Sequence, residues 1–167
     1  AYGNYQEYFQ LVADGITWMQ DYGVFWQINV VPEADTYYPN EWVYQNNYPT
    51  ISRGNAYNFE VRFKNTGSQT WYRHIVHLAT ANERDRIPGF LRADINNQFG
   101  NPSGWVTPNR IQMQEESVAP GGIATFSFWM SALYDKPTGG YQEHFQLVAD
   151  GITLMQDHGV YWDITVN

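Results

Sequence analysis

A chain of 167 residues with 43% hydrophobic content can build one well-packed domain plus an appendage. Its net charge of −8, with Lys64 and Lys136 as the only lysines, argues against nucleic acid and against an anionic membrane surface, both of which need clustered cations. Cysteine is absent, which excludes disulfides, thiolate metal sites and thiol nucleophiles, and no apolar run approaches the ~18 residues of a membrane-inserting span.

The first predicted element is one the chain uses twice. Gly3 to Val31 reads GNYQEYFQLVADGITWMQDYGVFWQINVV, and Gly139 to Asn167 reads GGYQEHFQLVADGITLMQDHGVYWDITVN. At an offset of 136 residues, 21 of 29 positions are identical. A fixed-period repeat is the mark of stacked units, so the chain reads as the closing segment of one unit followed by one whole unit, a slice or processed product of something longer. Within residues 3–31, Tyr5, Glu7, Phe9 and Leu11 alternate with Gln6, Tyr8, Gln10 and Val12. Asp14-Gly15 and Asp21-Tyr22-Gly23 mark turns. Val24, Trp26, Ile28 and Val30 then point one way and Phe25, Gln27 and Asn29 the other, the period of a half-buried strand. A lone hairpin is marginal in water, so this one must pack on a sheet, in this chain or in a neighbour.

Residues 32–41, VPEADTYYPN, read as a linker, and Trp42–Tyr48 as a strand. Residues 56–64 carry the clearest pattern, with Tyr57, Phe59, Val61 and Phe63 on one face and Asn58, Glu60, Arg62 and Lys64 on the other. Asn65-Thr66-Gly67 turns the chain into a strand over Thr70–Thr80. Residues 81–108 are rich in Pro, Gly and Asn, a long irregular insertion of the kind that often carries function. A short strand follows at Arg110–Gln114, a turn at Val118–Gly122, and a strand at 123–131 with Ala124, Phe126, Phe128 and Met130 inward and Thr125, Ser127, Trp129 and Ser131 outward. The second copy of the repeat closes the unit. No segment has helical periodicity. About seven short strands at turn-marked spacing predict an all-β sandwich whose core aromatics are Trp26, Phe59, Phe63, Trp71, Phe126, Phe128, Phe145 and Trp162.

The order FKNTGSQTWY (Phe63–Tyr72), SVAPGG (Ser117–Gly122), GGYQEHFQLV (Gly139–Val148) and HGVYWDITV (His158–Val166) resembles the immunoglobulin-like four-tryptophan domain of an autophagy receptor and its bacterial relatives. The resemblance covers residues 42–167 once and 3–31 again as the tail of a preceding copy. Trp71, Trp105 and Trp162 stand at expected tryptophans, Phe145 takes the place of the fourth, and Val160 and Tyr161 replace the usual neighbours. It implies an immunoglobulin-like β-sandwich with a binding or spacer role, as in modules of secreted or surface-anchored bacterial proteins; the autophagy role does not carry over. The domain plan is then 1–31 as the closing hairpin of a preceding or neighbouring repeat, 32–41 as linker, and 42–167 as the repeat unit.

Chemistry-bearing residues are sparse. His74 and His77 face opposite sides of a regular strand and cannot chelate one ion from it. His144 and His158 exchange with Tyr8 and Tyr22 of the other copy, which suits surface positions better than ligands. Asp14, Asp21, Asp150 and Asp157 recur at turn tips, where a Ca²⁺ site is conceivable and turn chemistry is the simpler reading. Asn82–Arg86 reads as a solvated or internally salt-bridged loop. Glu115 and Glu116 face apart. No catalytic constellation, cofactor or metal is expected. Phe25, Trp129 and Tyr161 lie on the polar faces of their strands, suited to a glycan or to a unit–unit interface. The expected function is a structural repeat of an extracellular or cell-surface bacterial protein or filament, a spacer, fibre or adhesin stalk, with head-to-tail β-strand addition as its sharper form. The partners would be copies of itself or adjacent repeats. The alternative is a carbohydrate- or cell-wall-binding module whose partner is polysaccharide.

Overall fold

Period-two alternation becomes strand wherever the sequence carries it. The computed structural model describes residues 3–30, 38–90 and 104–167, and the described residues are all β, without a helix. The chain divides into two units, Ala1–Glu33 and Ala34–Asn167.

The first unit contains β1 (Gly3–Phe9), β2 (Val12–Ala13), β3 (Thr17–Trp18) and β4 (Val24–Val30). β1 pairs with β4 from Gly3↔Val30 to Phe9↔Val24, and β2 pairs with β3. The two turns fall where the sequence places them. Gly15 and Gly23 take positive φ, 72° and 65°, as tight turns demand, and Asp21 Oδ1 accepts the Gly23 N–H at 2.8 Å.

The second unit runs through β5 (Asn40–Gln45), β6 (Thr50–Ile51), β7 (Ala56–Asn65), β8 (Trp71–Tyr72), β9 (Val76–Ala81), β10 (Trp105–Thr107), β11 (Arg110–Gln112), β12 (Ser117–Val118), β13 (Ile123–Ser131), β14 (Gly139–Ala149), β15 (Thr153–Leu154) and β16 (Val160–Val166). One sheet has the order β13-β7-β5. The other has the order β10-β11-β9-β14-β16-β6, with β15 beside β14. All of these pairings are antiparallel except β16 with β6. Their inner faces meet in one core, as in a β-sandwich. Phe59 and Phe128 come from the smaller sheet and Phe145 and Trp162 from the larger. Trp162 sits edge-on to Phe59 at 5.3 Å, to Phe128 at 5.7 Å and to Phe145 at 5.6 Å.

Phe59, Phe63, Trp71, Phe126, Phe128, Phe145 and Trp162 are all buried. Trp26 differs from the expectation that it lies in a core: it is 67% exposed. The physical reason is that the described residues of the Ala1–Glu33 unit form two two-stranded ladders and include no opposing sheet to cover the ring. Strand bounds differ too. The strand expected at Trp42–Tyr48 begins at Asn40, inside the expected linker, and ends at Gln45. The strand expected over Thr70–Thr80 is two, β8 and β9, because a turn at 73–75, closed by the Ile75 N–H on the Tyr72 carbonyl, carries the chain from the β12 ladder to β11 and β14. Most of the expected linker, 32–37, and much of the expected insertion, 91–103, lie outside the described residues.

Trp162→Ala should therefore cost about 3–5 kcal/mol, the usual penalty for emptying a large aromatic site, whereas Trp26→Ala, at the equivalent position of the other copy, should leave the unfolding midpoint of the sandwich unchanged. Chemical denaturation followed by circular dichroism distinguishes the two.

Candidate functional site

The repeated hairpin is folded the same way in both units. β14 pairs with β16 from Gly139↔Val166 to Phe145↔Val160, the register of β1 with β4 moved by 136 residues, and Val148↔Leu154 repeats Val12↔Trp18. In the second unit this hairpin buries ten side chains: Glu143, Phe145, Leu147, Val148, Ala149, Met155, Val160, Trp162, Ile164 and Val166. All ten are identical in the first copy. All eight differences between the copies (at Gly140, His144, Leu154, His158, Tyr161, Asp163, Thr165 and Asn167) fall at positions that are not buried. Yet the first copy leaves that inner face bare: Phe9, Leu11, Val12, Met19, Val24, Trp26 and Ile28 are each at least 40% exposed.

What covers the face in the second unit is explicit. β9 pairs along the outer edge of β14, β6 lies parallel beside β16, and the β13-β7-β5 sheet closes over the apolar side chains. Two ion clusters finish the contact. Glu143 Oε1 accepts the Gly89 N–H at 3.0 Å, and its Oε2 lies 2.5 Å from Arg86 Nη2 as an ion contact rather than an aligned hydrogen bond. Lys136 sits 4.1 Å above the rings of both Phe90 and Tyr141; burial lowers its pKa below the ordinary value against the pull of Glu143. Asp150 takes His77 Nδ1 at 2.8 Å and Arg110 Nε at 3.0 Å, and Arg110 reaches Asp85 at 2.5 Å. Burial works against the charge on Arg110, and the two carboxylates more than offset it, so its pKa stands above the ordinary value. The first copy keeps both acidic groups, as Glu7 and Asp14.

Within the second unit, the outward aromatics Trp129 and Tyr161 lie on different sheets. Phe25 lies across from Tyr8, ring to ring at 5.7 Å. Its equivalent Tyr161 stacks on His144 at 5.2 Å and meets Tyr48 at 5.7 Å; the hydrogen bond with Tyr161 holds the Tyr48 phenol above its ordinary pKa. Trp129 projects from the outer face of the other sheet, opposite Asn58. The remaining sequence candidates do structural work. His74 packs on Tyr72. His158 Nε2 is 3.1 Å from the Asn40 carbonyl. Asp157 accepts the Gly159 N–H at 2.7 Å, repeating the turn at Asp21. Glu115 accepts the Thr125 N–H at 2.8 Å, and Glu116 pairs with Arg73 at 2.6 Å. The charged loop is bound inward through Asp85 and Arg86, and Asn82, Glu83 and Asp85 hold positive φ there. The roles of Arg86, Arg110 and Tyr48 carried no periodic or motif signal, because their partners are distant in sequence.

No family model matches the chain, and no curated protein is significantly similar to it.

Glu143→Ala removes the partner of a largely buried guanidinium and should cost about 3–5 kcal/mol. Glu143→Gln, which keeps the acceptor for Gly89 but loses the charge, should cost less, and Glu7→Ala should cost the sandwich nothing. Denaturant titration of the three variants measures the series.

Proposed function

We propose that the chain is a structural repeat module of an extracellular bacterial surface protein or filament, a spacer, fibre or stalk, in which residues 3–30 close the sandwich of a neighbouring repeat. One observation carries this reading: the ten residues the hairpin buries in the second unit recur unchanged in the first, where the same face is bare. A hairpin with nothing to fit would be free to vary on both faces. Covering the bare face is favourable by about 1.5–3 kcal/mol for each large apolar side chain.

The neighbour's chemistry follows from the second unit. It must offer an antiparallel strand like β9 along the free edge of β1, a parallel strand like β6 beside β4, a facing apolar sheet like β13-β7-β5, and cations like Arg86 and Arg110 for Glu7 and Asp14. A further copy of the segment 34–136 supplies all of these. Such strand addition joins main-chain pairing to side-chain burial. The donating and accepting surfaces differ, so the contact is heterologous and continues head to tail.

The immunoglobulin-like reading is supported by strand distribution. β7 lies between β5 and β13 in one sheet, β9, β14 and β16 run consecutively in the other, and the opening strands split between the sheets, β5 against β7 and β6 against β16. Immunoglobulin-type sandwiches set A, B and E against C, F and G in this way. Trp71, Trp105 and Trp162 in one core, with Phe145 beside Trp162, support the likeness to four-tryptophan domains.

The test is a chain in which residues 32–136 are placed directly ahead of Ala1, so that Ala1 and Tyr2 fall where Pro137 and Thr138 stand in the second unit. Backbone amides of 3–30 should exchange hydrogen rapidly in the 1–167 chain and slow to the level of 139–166 in the extended one, and Trp26→Asp should abolish the gain. Equal exchange of 3–30 in both chains would overturn the reading.

A further inference from the structure

A second surface, on the Ala34–Asn167 unit, is independent of the repeat reading. On the outer side of the β13-β7-β5 sheet, a groove of about 480 Å³ runs past Trp129, Asn58 and Ser127 toward Gln112, Gln114 and Arg73. Its volume lies in the range of small-molecule sites. Among the described residues no carboxylate lines this part of it, although the chain as a whole is acidic.

The polar groups are fixed in place before any ligand arrives. Asn58 and Trp129 are directly opposed in the β7–β13 ladder. The Asn58 amide donates to Ser127 Oγ at 3.1 Å, and the Ser127 hydroxyl approaches Asn58 Oδ1 at 3.2 Å. The Arg73 guanidinium is held on three sides, by the Glu115 carbonyl at 3.1 Å, the Glu116 carboxylate at 2.6 Å and the Gln114 carbonyl. At Gly104, with φ 81°, an added Cβ would stand 2.3 Å from the Ser127 carbonyl oxygen, so the groove floor comes as close to β13 as bare backbone allows. Beyond Arg73 and Gln112 a second hollow of about 390 Å³ continues past His74 and Val106, which makes an open trough.

We infer that this trough binds a neutral glycan, with a sugar ring laid against the Trp129 indole and its hydroxyls taken by the carboxamides of Asn58, Gln112 and Gln114. An aromatic face bordered by carboxamides suits a pyranose, which is apolar on its C–H face and carries paired donors and acceptors around its rim. A neutral sugar fits better than an acidic one, because Glu116 already neutralises Arg73 and the net charge of the chain repels polyanions. The open ends suit a segment of polysaccharide rather than a single sugar.

The experiment is a ¹H–¹⁵N NMR titration of the intact chain with cellohexaose, xylohexaose, mannohexaose and chitohexaose, and with polygalacturonate as the acidic probe. At least one neutral probe should shift amides around Asn58, Gln112 and Ser127. Trp129→Ala should weaken that binding by about tenfold, the scale of one good ring contact, and Gln112→Ala should weaken it without moving the unfolding midpoint, while Trp18→Ala should leave it unchanged. Binding by no neutral probe, binding only of polygalacturonate, or binding that survives both Trp129→Ala and Gln112→Ala would overturn the inference.

Discussion

The contact on which everything else depends is the apolar inner face of the closing hairpin against the facing sheet. In the Ala34–Asn167 unit that contact is made, with Trp162 at its hub between Phe59, Phe128 and Phe145. The indole N–H is satisfied as well, 3.2 Å from both the carbonyl and the side-chain oxygen of Asn46, so the large ring is buried without stranding its donor. In the Ala1–Glu33 unit the same residues form the same ladder, and its described residues include no facing sheet. Local pairing is thus a property of the hairpin itself, while burial is a property of what faces it.

Around that contact the polar groups are arranged to make it specific. Glu143 and Asp150 project from β14 and the turn after it, and each meets a cation supplied by a distant segment. Buried ion pairs add little net stability over apolar packing but penalise any partner that leaves one charge alone. The strained loop at Asn82, Glu83 and Asp85 is held by the same pairs. On the proposed function, a hairpin that carries Glu7 and Asp14 at the equivalent positions would favour a sheet that brings matching cations over an arbitrary apolar surface.

The outer faces follow a different rule. They are where the two copies diverge: Tyr8 against His144, Tyr22 against His158, Phe25 against Tyr161. Side chains there answer mainly to solvent and local stacking, and only His158 among them approaches a core ring, that of Phe63 at 6.1 Å. Trp129, at the groove, projects outward from the opposite sheet to that of Tyr161. A structural role for the sandwich core and a binding role for its surface are therefore compatible in one molecule.

By itself, the sequence determined the strands, the turns and the repeat. Alternation at 56–65 and 123–131 and the Asp-x-Gly turns act over a few residues, and side chains two apart must share a face whatever surrounds them. The doubled segment was legible for the same reason, as identity at a fixed offset. Of the eight aromatics the sequence assigned to the core, seven are buried there, while Phe90 and Trp105, also buried, were not among them. Tertiary structure alone decided the eighth: Trp26 has the pattern of a buried residue and stands in solvent, since burial needs a second sheet and periodicity cannot say whether one is present. It alone decided that Arg86 and Arg110 meet carboxylates dozens of residues away, and that Trp129 borders a groove while Tyr161 stacks on a neighbour. Those outcomes depend on which strands become adjacent, and adjacency in a sandwich is set by the packing of two whole sheets rather than by any local stretch of chain.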